Sequence, residues 1–250
     1  NKPMKKIILI ASVLISNFAL SSCNFNFYGG SSSSECHNHV MVSDTINVDD
    51  FEALSASAIT EVVYTQGDEN KVIYEVCEEI IDKIEIKVKN NRLNLGINGD
   101  NINHKLKCTV IGQSPLNKIE VSGCCKMIYN GDIKHDDVNL ECSGASSVKV
   151  NGVVYAKELD IDLSGASYVT LNVVSEDITV DASGASNAVI KGATRTADFD
   201  ASGASSIDAD ELKIINLSAD ASGASHISAT TAGKTKISES GVARVKVKNN

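Results

Sequence analysis

Tryptophan is absent from this chain, and phenylalanine and tyrosine together supply only 4% of its 250 residues. The indole platforms on which sugar rings stack are therefore missing. Positive charge is also scarce. The chain carries 23 Lys and Arg against 32 Asp and Glu, for a net charge of −9. That balance offers no electrostatic footprint for a nucleic acid. No repeat shows an apolar stripe at helical spacing, and the regular leucines of a leucine-rich repeat are missing. The longest apolar run, Ile7 to Leu20, is fourteen residues and too short to span a bilayer as a helix.

That run reads as a targeting signal. Lys5 and Lys6 precede it, Met4 is the plausible initiator, and Leu20-Ser21-Ser22-Cys23 follows it. A basic start, an apolar core and a small-residue cleavage site describe a secretory signal over residues 1–22. The Leu-Ser-Ser-Cys ending resembles the bacterial lipobox. The resemblance implies cleavage before Cys23 and acylation of that cysteine, hence a membrane partner through a lipid anchor. The expected location is the cell envelope, at the outer membrane, on either its periplasmic or its outer side. Residues 23–43 read as a tether, with Gly29-Gly30 and Ser31 to Ser34 giving flexible linker composition. Cys36-His37-Asn38-His39 within it contains good metal ligands, but no second cluster at matching spacing completes a site.

The C-terminal half is organised by the tetrapeptide Ser-Gly-Ala-Ser, which occurs five times. The copies open with Ser143-Gly144, Ser164-Gly165, Ser183-Gly184, Ser202-Gly203 and Ser222-Gly223. Ser122-Gly123-Cys124-Cys125 and Ser240-Gly241-Val242-Ala243 are degenerate copies on either side. Successive first serines lie 21, 21, 19, 19, 20 and 18 residues apart. A fixed period near twenty residues marks a stacked-repeat protein. Around each copy apolar and polar residues alternate, as in Ile178-Thr179-Val180-Asp181-Ala182 before the bend and Val169-Thr170-Leu171 after it. Period two is the signature of a half-buried strand. Each repeat therefore reads as strand, bend, strand and a variable third segment, and the chain as an all-β, right-handed parallel β-helix. Stacking predicts two inward columns. One runs Ile119, Leu140, Ile161, Val180, Phe199, Ala219, Ile237. The other runs Val121, Cys142, Leu163, Ala182, Ala201, Ala221. Core side chains shrink along both.

Residues 118–250 are thus assigned to the β-helix and residues 44–117 to a β-rich region that caps and continues it. Candidate strands there are 62–64, 71–76, 84–88, 92–95 and 106–110, with one helical turn over 78–83. Turn signals stand at Gln66 to Asn70, Asn90-Asn91 and Asn98-Gly99-Asp100.

Three features bear on chemistry. Glu120, Glu141, Asp162, Asp181, Asp200 and Asp220 each stand two residues before a bend, so in-register stacking makes them an outward carboxylate ladder. Like charges so close raise carboxyl pKa values or attract cations. Such a ladder is either a weak Ca²⁺ strip or a solvated face that discourages aggregation. The bend serines, including Ser146, Ser167, Ser186, Ser205 and Ser225, suit stacked structural hydrogen bonding. Only His226 stands beside one of them as a base. Finally Cys36, Cys77, Cys108, Cys124, Cys125 and Cys142 remain after Cys23. An exported chain can form disulfides, and small thiols packed under the coils are an equal alternative. No convergent catalytic site is evident. A polysaccharide-active β-helix enzyme would break the repeat with special residues on one face.

Phe51, Tyr64-Thr65-Gln66-Gly67-Asp68, Leu116-Asn117-Lys118-Ile119-Glu120-Val121-Ser122-Gly123 and the repeats resemble the putative auto-transporter adhesin head GIN domain family, common in lipoproteins of Bacteroidetes. The likeness covers Asp49 to Val247. Ser follows the repeat alanine where relatives often carry Gly-Asp or Gly-Asn, and Cys124-Cys125 is a further departure. The resemblance implies a β-helix-like fold and an envelope location. The resulting expectation is a non-catalytic envelope protein for adhesion or ligand binding, to a glycan, a protein or a neighbouring copy, with no nucleic acid and no cofactor beyond Ca²⁺. The alternative is a purely structural spacer or assembly subunit.

Overall fold

The computed structural model describes residues 40–99 and 104–249. Cys23, Cys36, His37 and His39 lie outside the described residues.

In chain order the strands are β1 (Met41–Asn47), β2 (Ala53–Ala56), β3 (Thr60–Gln66) and β4 (Lys71–Cys77). A 3-10 helix over Glu78–Lys83 follows, at the predicted helical turn. Next come β5 (Ile84–Lys89), β6 (Arg92–Ile97) and β7 (Leu106–Gly112). The repeat half contributes β8 (Lys118–Val121), β9 (Lys126–Asn130), β10 (Ile133–Lys134) and β11 (Asp137–Cys142). It continues with β12 (Ser147–Leu163), β13 (Tyr168–Ala182), β14 (Asn187–Ala201), β15 (Ser206–Ala221), β16 (His226–Thr231), β17 (Thr235–Glu239) and β18 (Arg244–Asn249). All the strands join one sheet wound into a parallel β-solenoid.

The bend column sets the register. Each repeat glycine has a positive φ, 72° to 76° from Gly123 to Gly241. Non-glycine residues pay a steric penalty there. The bends also stack backbone on backbone. The Ala145 N–H donates to the Gly123 carbonyl at 2.8 Å, and Ala166, Ala185, Ala204 and Ala224 each donate to the glycine one coil below at 2.7 Å. A Cβ on Gly144, Gly165 or Gly184 would stand 2.6 Å from that lower carbonyl oxygen. The ladder of hydrogen bonds therefore runs unbroken through the corners, and from Gly123 onward only glycine fits above the lower carbonyl.

Behind each bend lies a second column of small polar side chains. Ser146, Ser167, Ser186, Ser205 and Ser225 are each 2% exposed. The Ser205 hydroxyl donates to the Ala182 carbonyl at 2.9 Å, and that of Ser225 to Ala201 at the same distance. The Ser186 hydroxyl donates to the Ser183 carbonyl at 2.8 Å, whereas that of Ser167 is buried without a partner among the described residues. Where the hydroxyl is satisfied on a main-chain oxygen it braces the corner without opening the core. Cys125 and Thr60 hold the equivalent position in earlier coils, facing the Ala58 and Ser57 carbonyls.

Coil length varies, and the third segment absorbs the variation. Between β12 and β13 the partner offset falls from 21 residues at Lys149 to 19 at Val153. Similar shifts occur between β14 and β15 and between β15 and β16. The first two faces stay in register through all of them. Both predicted inward columns are buried from their first members to Ala219 and Ala221, whereas Ile237 is 46% exposed. Ile237 corrects the expectation, because among the described residues no coil covers the strand that carries it.

The N-terminal region yields a larger difference. The candidate strands are present, and β5 and β6 form a hairpin over Asn90-Asn91, both at positive φ as such a two-residue turn requires. Two further coils were not legible. β2 and β3 stack parallel beneath β8 and β9, and β6 and β7 stack parallel beneath β2 and β3. Spatial order here departs from chain order, since the chain lays down its second coil before its first. β4 and β1 then close the end antiparallel on β7, and β5 closes it on β6. Met41 to Ser43, expected as tether, are strand because β1 pairs with β4 along its whole length.

The core is widest at this end. Tyr64 and Tyr129 stack with centroids 4.6 Å apart, and Phe51 meets Tyr64 edge-on at 6.4 Å. Alanines fill the far end, at Ala188, Ala197, Ala209 and Ala229. Cys108, Cys125 and Cys142 are buried thiols, and burial pushes Cys108 and Cys142 up to about 12. Cys124 is a free, exposed thiol, while Cys77 is disulfide-bonded.

Gly184→Ala is expected to destabilise the protein by about 2 kcal/mol or more, combining the left-handed penalty with a backbone clash. Thermal unfolding followed by circular dichroism measures this. An unchanged Tm would mean that the corner relaxes without cost.

Candidate functional site

The predicted ladder forms. Glu120 pairs in register with Glu141, Glu141 with Asp162, Asp162 with Asp181, Asp181 with Asp200, and Asp200 with Asp220. Each stands outward because its neighbour, such as Leu163, Ala182 or Ala201, points into the core. Immediately after that inward residue the chain turns at a serine. Carboxylates and first serines thus become the two banks of one groove across the coils.

The groove has a volume of about 570 Å³. Glu120, Glu141, Asp162, Asp181 and Asp200 line one bank, and Ser122, Ser143, Ser164, Ser183 and Ser202 the other. Ser55 extends it at the N-terminal end, where β2 supplies the same register position. Asp220 continues the ladder but lies outside the groove lining.

Charge is uneven along it. Lys118 Nζ bridges Glu120 at 2.8 Å and Glu141 at 2.7 Å, and Arg92 Nη1 reaches Glu120 Oε2 at 2.7 Å. Among the described residues no cation pairs with Asp162, Asp181, Asp200 or Asp220. Asp160 and Asp198 stand in the adjoining outward column and add to the repulsion. Partial withdrawal from water, followed by Glu141 and Asp160, raises the Asp162 carboxyl above its ordinary value. The Asp181 carboxyl rises for the same first reason, reinforced by Asp162 and Asp200. The Lys118 ammonium is raised by its hydrogen bonds to Glu120 and Glu141.

Lys118 was within reach of sequence reasoning, since it stands two residues before Glu120. Arg92 was not, because its approach depends on the out-of-order coil. The bend serines show no nucleophile arrangement: Ser225 donates to a carbonyl, and His226 is an exposed strand residue paired in register with Ser206 and Arg244. Among the described residues no group of three or more His, Cys, Asp or Glu converges as a metal site. No described helix is long and apolar enough to cross a membrane.

A parallel β-solenoid with glycine-serine corners and one continuous acidic groove is a repeat protein with a linear surface site, and known relatives share the architecture. The chain belongs to the putative auto-transporter adhesin, head GIN domain family, which matches residues 50–250. A crystal structure of a putative adhesin from Parabacteroides distasonis is similar at 20% identity and a TM-score of 0.73, over 84% of this chain and 97% of that one. A putative adhesin from Parabacteroides merdae is 18% identical, with a TM-score of 0.72, over 85% and 97% of the respective chains. A putative lipid binding protein from Parabacteroides distasonis is 14% identical, with a TM-score of 0.71, over 85% and 98%. No curated protein matches.

The raised carboxyls fix a pH dependence. A carboxyl whose folded pKa exceeds its unfolded one binds protons more tightly when folded, so it opposes folding at neutral pH and ceases to do so once protonated. Asp181→Asn is therefore expected to raise Tm at pH 7, with the gain shrinking as pH falls through the carboxylate range. A gain that persists at pH 3 would show that charge is not its source.

Proposed function

We propose that this protein is a lipid-anchored adhesin of the cell envelope that holds a linear glycan along the acidic groove and performs no covalent chemistry on it. The observation that carries this reading is the repetition of the groove. Equivalent carboxylate and hydroxyl pairs recur once per coil, about 4.8 Å apart. A straight polymer whose hydroxyl or amine groups recur at a similar interval meets the same environment at each step. Carboxylates accept hydrogen bonds from such groups, and the serine bank can donate or accept. Among the described residues no cation forms an ion pair with Asp162, Asp181 or Asp200, so that stretch also suits a glycan that brings positive charge or enters with Ca²⁺.

The remaining parts support an envelope setting. Cys77 is disulfide-bonded, a chemistry typical of oxidising compartments. Family membership supports the adhesive role. Acylation at Cys23 would hold the protein at the membrane, with residues 24–40 as the tether.

Two measurements test the reading. A glycan array probed with the full chain, with and without Ca²⁺, is expected to show selective binding to linear polymers. The Asp162→Asn, Asp181→Asn, Asp200→Asn triple variant should lose it while gaining thermal stability. Equal binding by both proteins would remove the groove as the site. Separately, Cys23→Ser should move the protein from the membrane fraction to the soluble fraction and abolish incorporation of labelled fatty acid; retention in the membrane fraction would count against the anchor.

A further inference from the structure

The two ends of the solenoid are finished differently. The N-terminal end is closed by the antiparallel strands β1, β4 and β5 and the 3-10 helix. At the other end, among the described residues, β17 pairs only with β15, and β18 pairs only with β16. On the β17 side two of the three inward positions turn polar. Thr235, Ile237 and Glu239 succeed Leu217, Ala219 and Ala221, and every residue of the strand is exposed. A polar terminal strand needs no cover. β18 is different. Val245 and Val247 continue the apolar column above Ile227 and Ala229 and are only half-buried, while Val242 beside them is 76% exposed.

The outward side of the same strand is basic. Arg244, Lys246 and Lys248 alternate with the two valines and are exposed. Lys248 is drawn to Asp210, but among the described residues Arg244 and Lys246 have no ion-pair partner. The main chain is available as well. The Arg244 N–H donates to Ser225 on the closed side, so in a parallel ladder Val245 and Val247 direct their amides to the open side. The Val245 amide is taken by the Glu239 carboxylate, which leaves that of Val247.

We infer that β18 is a docking edge for an extended segment of another protein in which acidic and apolar residues alternate. Added as a further strand, such a segment lays its apolar residues over Val245 and Val247 and sets its carboxylates against Arg244 and Lys246. Main-chain pairing supplies affinity, and the alternate side chains supply selectivity. A second copy of this chain does not fit. Edge-to-edge pairing of two β18 strands would oppose like charges, which is destabilising. Of the two edge strands at the capped end, β1 exposes Met41, Ser43, Thr45 and Asn47 and carries its one carboxylate, Asp44, on the other face opposite Tyr74, while β5 exposes Lys87 and Lys89 against a single Glu85.

The test is fluorescence anisotropy of the 250-residue chain with capped, labelled peptides. One peptide alternates Asp and Val, one has the same composition in two blocks, and one alternates Lys and Val. The alternating acidic peptide is expected to bind, and the block peptide to bind at least about tenfold more weakly. Arg244→Glu with Lys246→Glu should weaken the acidic peptide by about tenfold and favour the Lys peptide. Val247→Pro removes the open-side amide from an edge strand, where proline is tolerated, and should abolish binding of the alternating acidic peptide with Tm little changed. The Asp162→Asn, Asp181→Asn, Asp200→Asn variant should bind the acidic peptide as the parent does, which separates this edge from the groove. The inference is overturned if the parent binds no peptide, if block and alternating peptides bind alike, or if charge reversal has no effect. It is equally overturned if sedimentation shows a dimer that Val247→Pro disperses.

Discussion

Everything in this protein hangs on a column of corners in which main chain lies directly on main chain. A β-solenoid must turn without losing its ladder, because each unpaired amide or carbonyl buried at a corner would cost about 1–3 kcal/mol. Here the cost is avoided by a left-handed residue whose carbonyl accepts from the coil above, at 2.7 to 2.8 Å. That geometry leaves no room for a Cβ over the lower carbonyl, so glycine recurs at every repeat corner. Ala58, the one corner residue of this set that is not glycine, sits at φ 63° beneath Gly123. At corners such as those of Ser205 and Ser225 the serine behind completes the device by donating to main-chain carbonyls from within.

Strict register has an electrostatic consequence. Once the corners are aligned, all residues two positions earlier are aligned as well, and a repeat that carries a carboxylate there must stack its charges. The protein relieves this strain only in part. Arg92 and Lys118 pair with the N-terminal end of the ladder, and among the described residues the stretch from Asp162 to Asp220 has no ion-pair partner. A structure that retains such repulsion in a surface groove is less stable than it could be. Such local conflict is common where a surface is kept for binding.

The same register governs the ends. A stack of identical coils has no intrinsic way to stop, so each terminus needs its own solution. At the N-terminal end the chain folds out of order, placing its first-made coil second and closing with antiparallel strands. At the other end the β17 side turns polar and the β18 side turns basic while keeping its inward valines. Lysines on an edge keep off neutral and basic strands, and they define which strand could still be admitted.

Much of this was written in the chain itself. A period of two and a period of about twenty are both local patterns, so the strands, the corners, the inward columns and the composition of the acidic ladder could be read from the sequence. Buried thiols were one of two readings that it left open. Tertiary structure alone decided that β2 and β3 lie between β6-β7 and β8-β9, because parallel pairing between distant strands leaves no period in the sequence. It alone brought Arg92 to Glu120 across 28 residues, turned a row of carboxylates into a groove walled by serines, and left Ile237 and β18, among the described residues, without a coil above them. Patterns repeated along the chain specify what stacks; which coil lies next to which, and where the stack ends, depends on contacts between residues far apart in sequence.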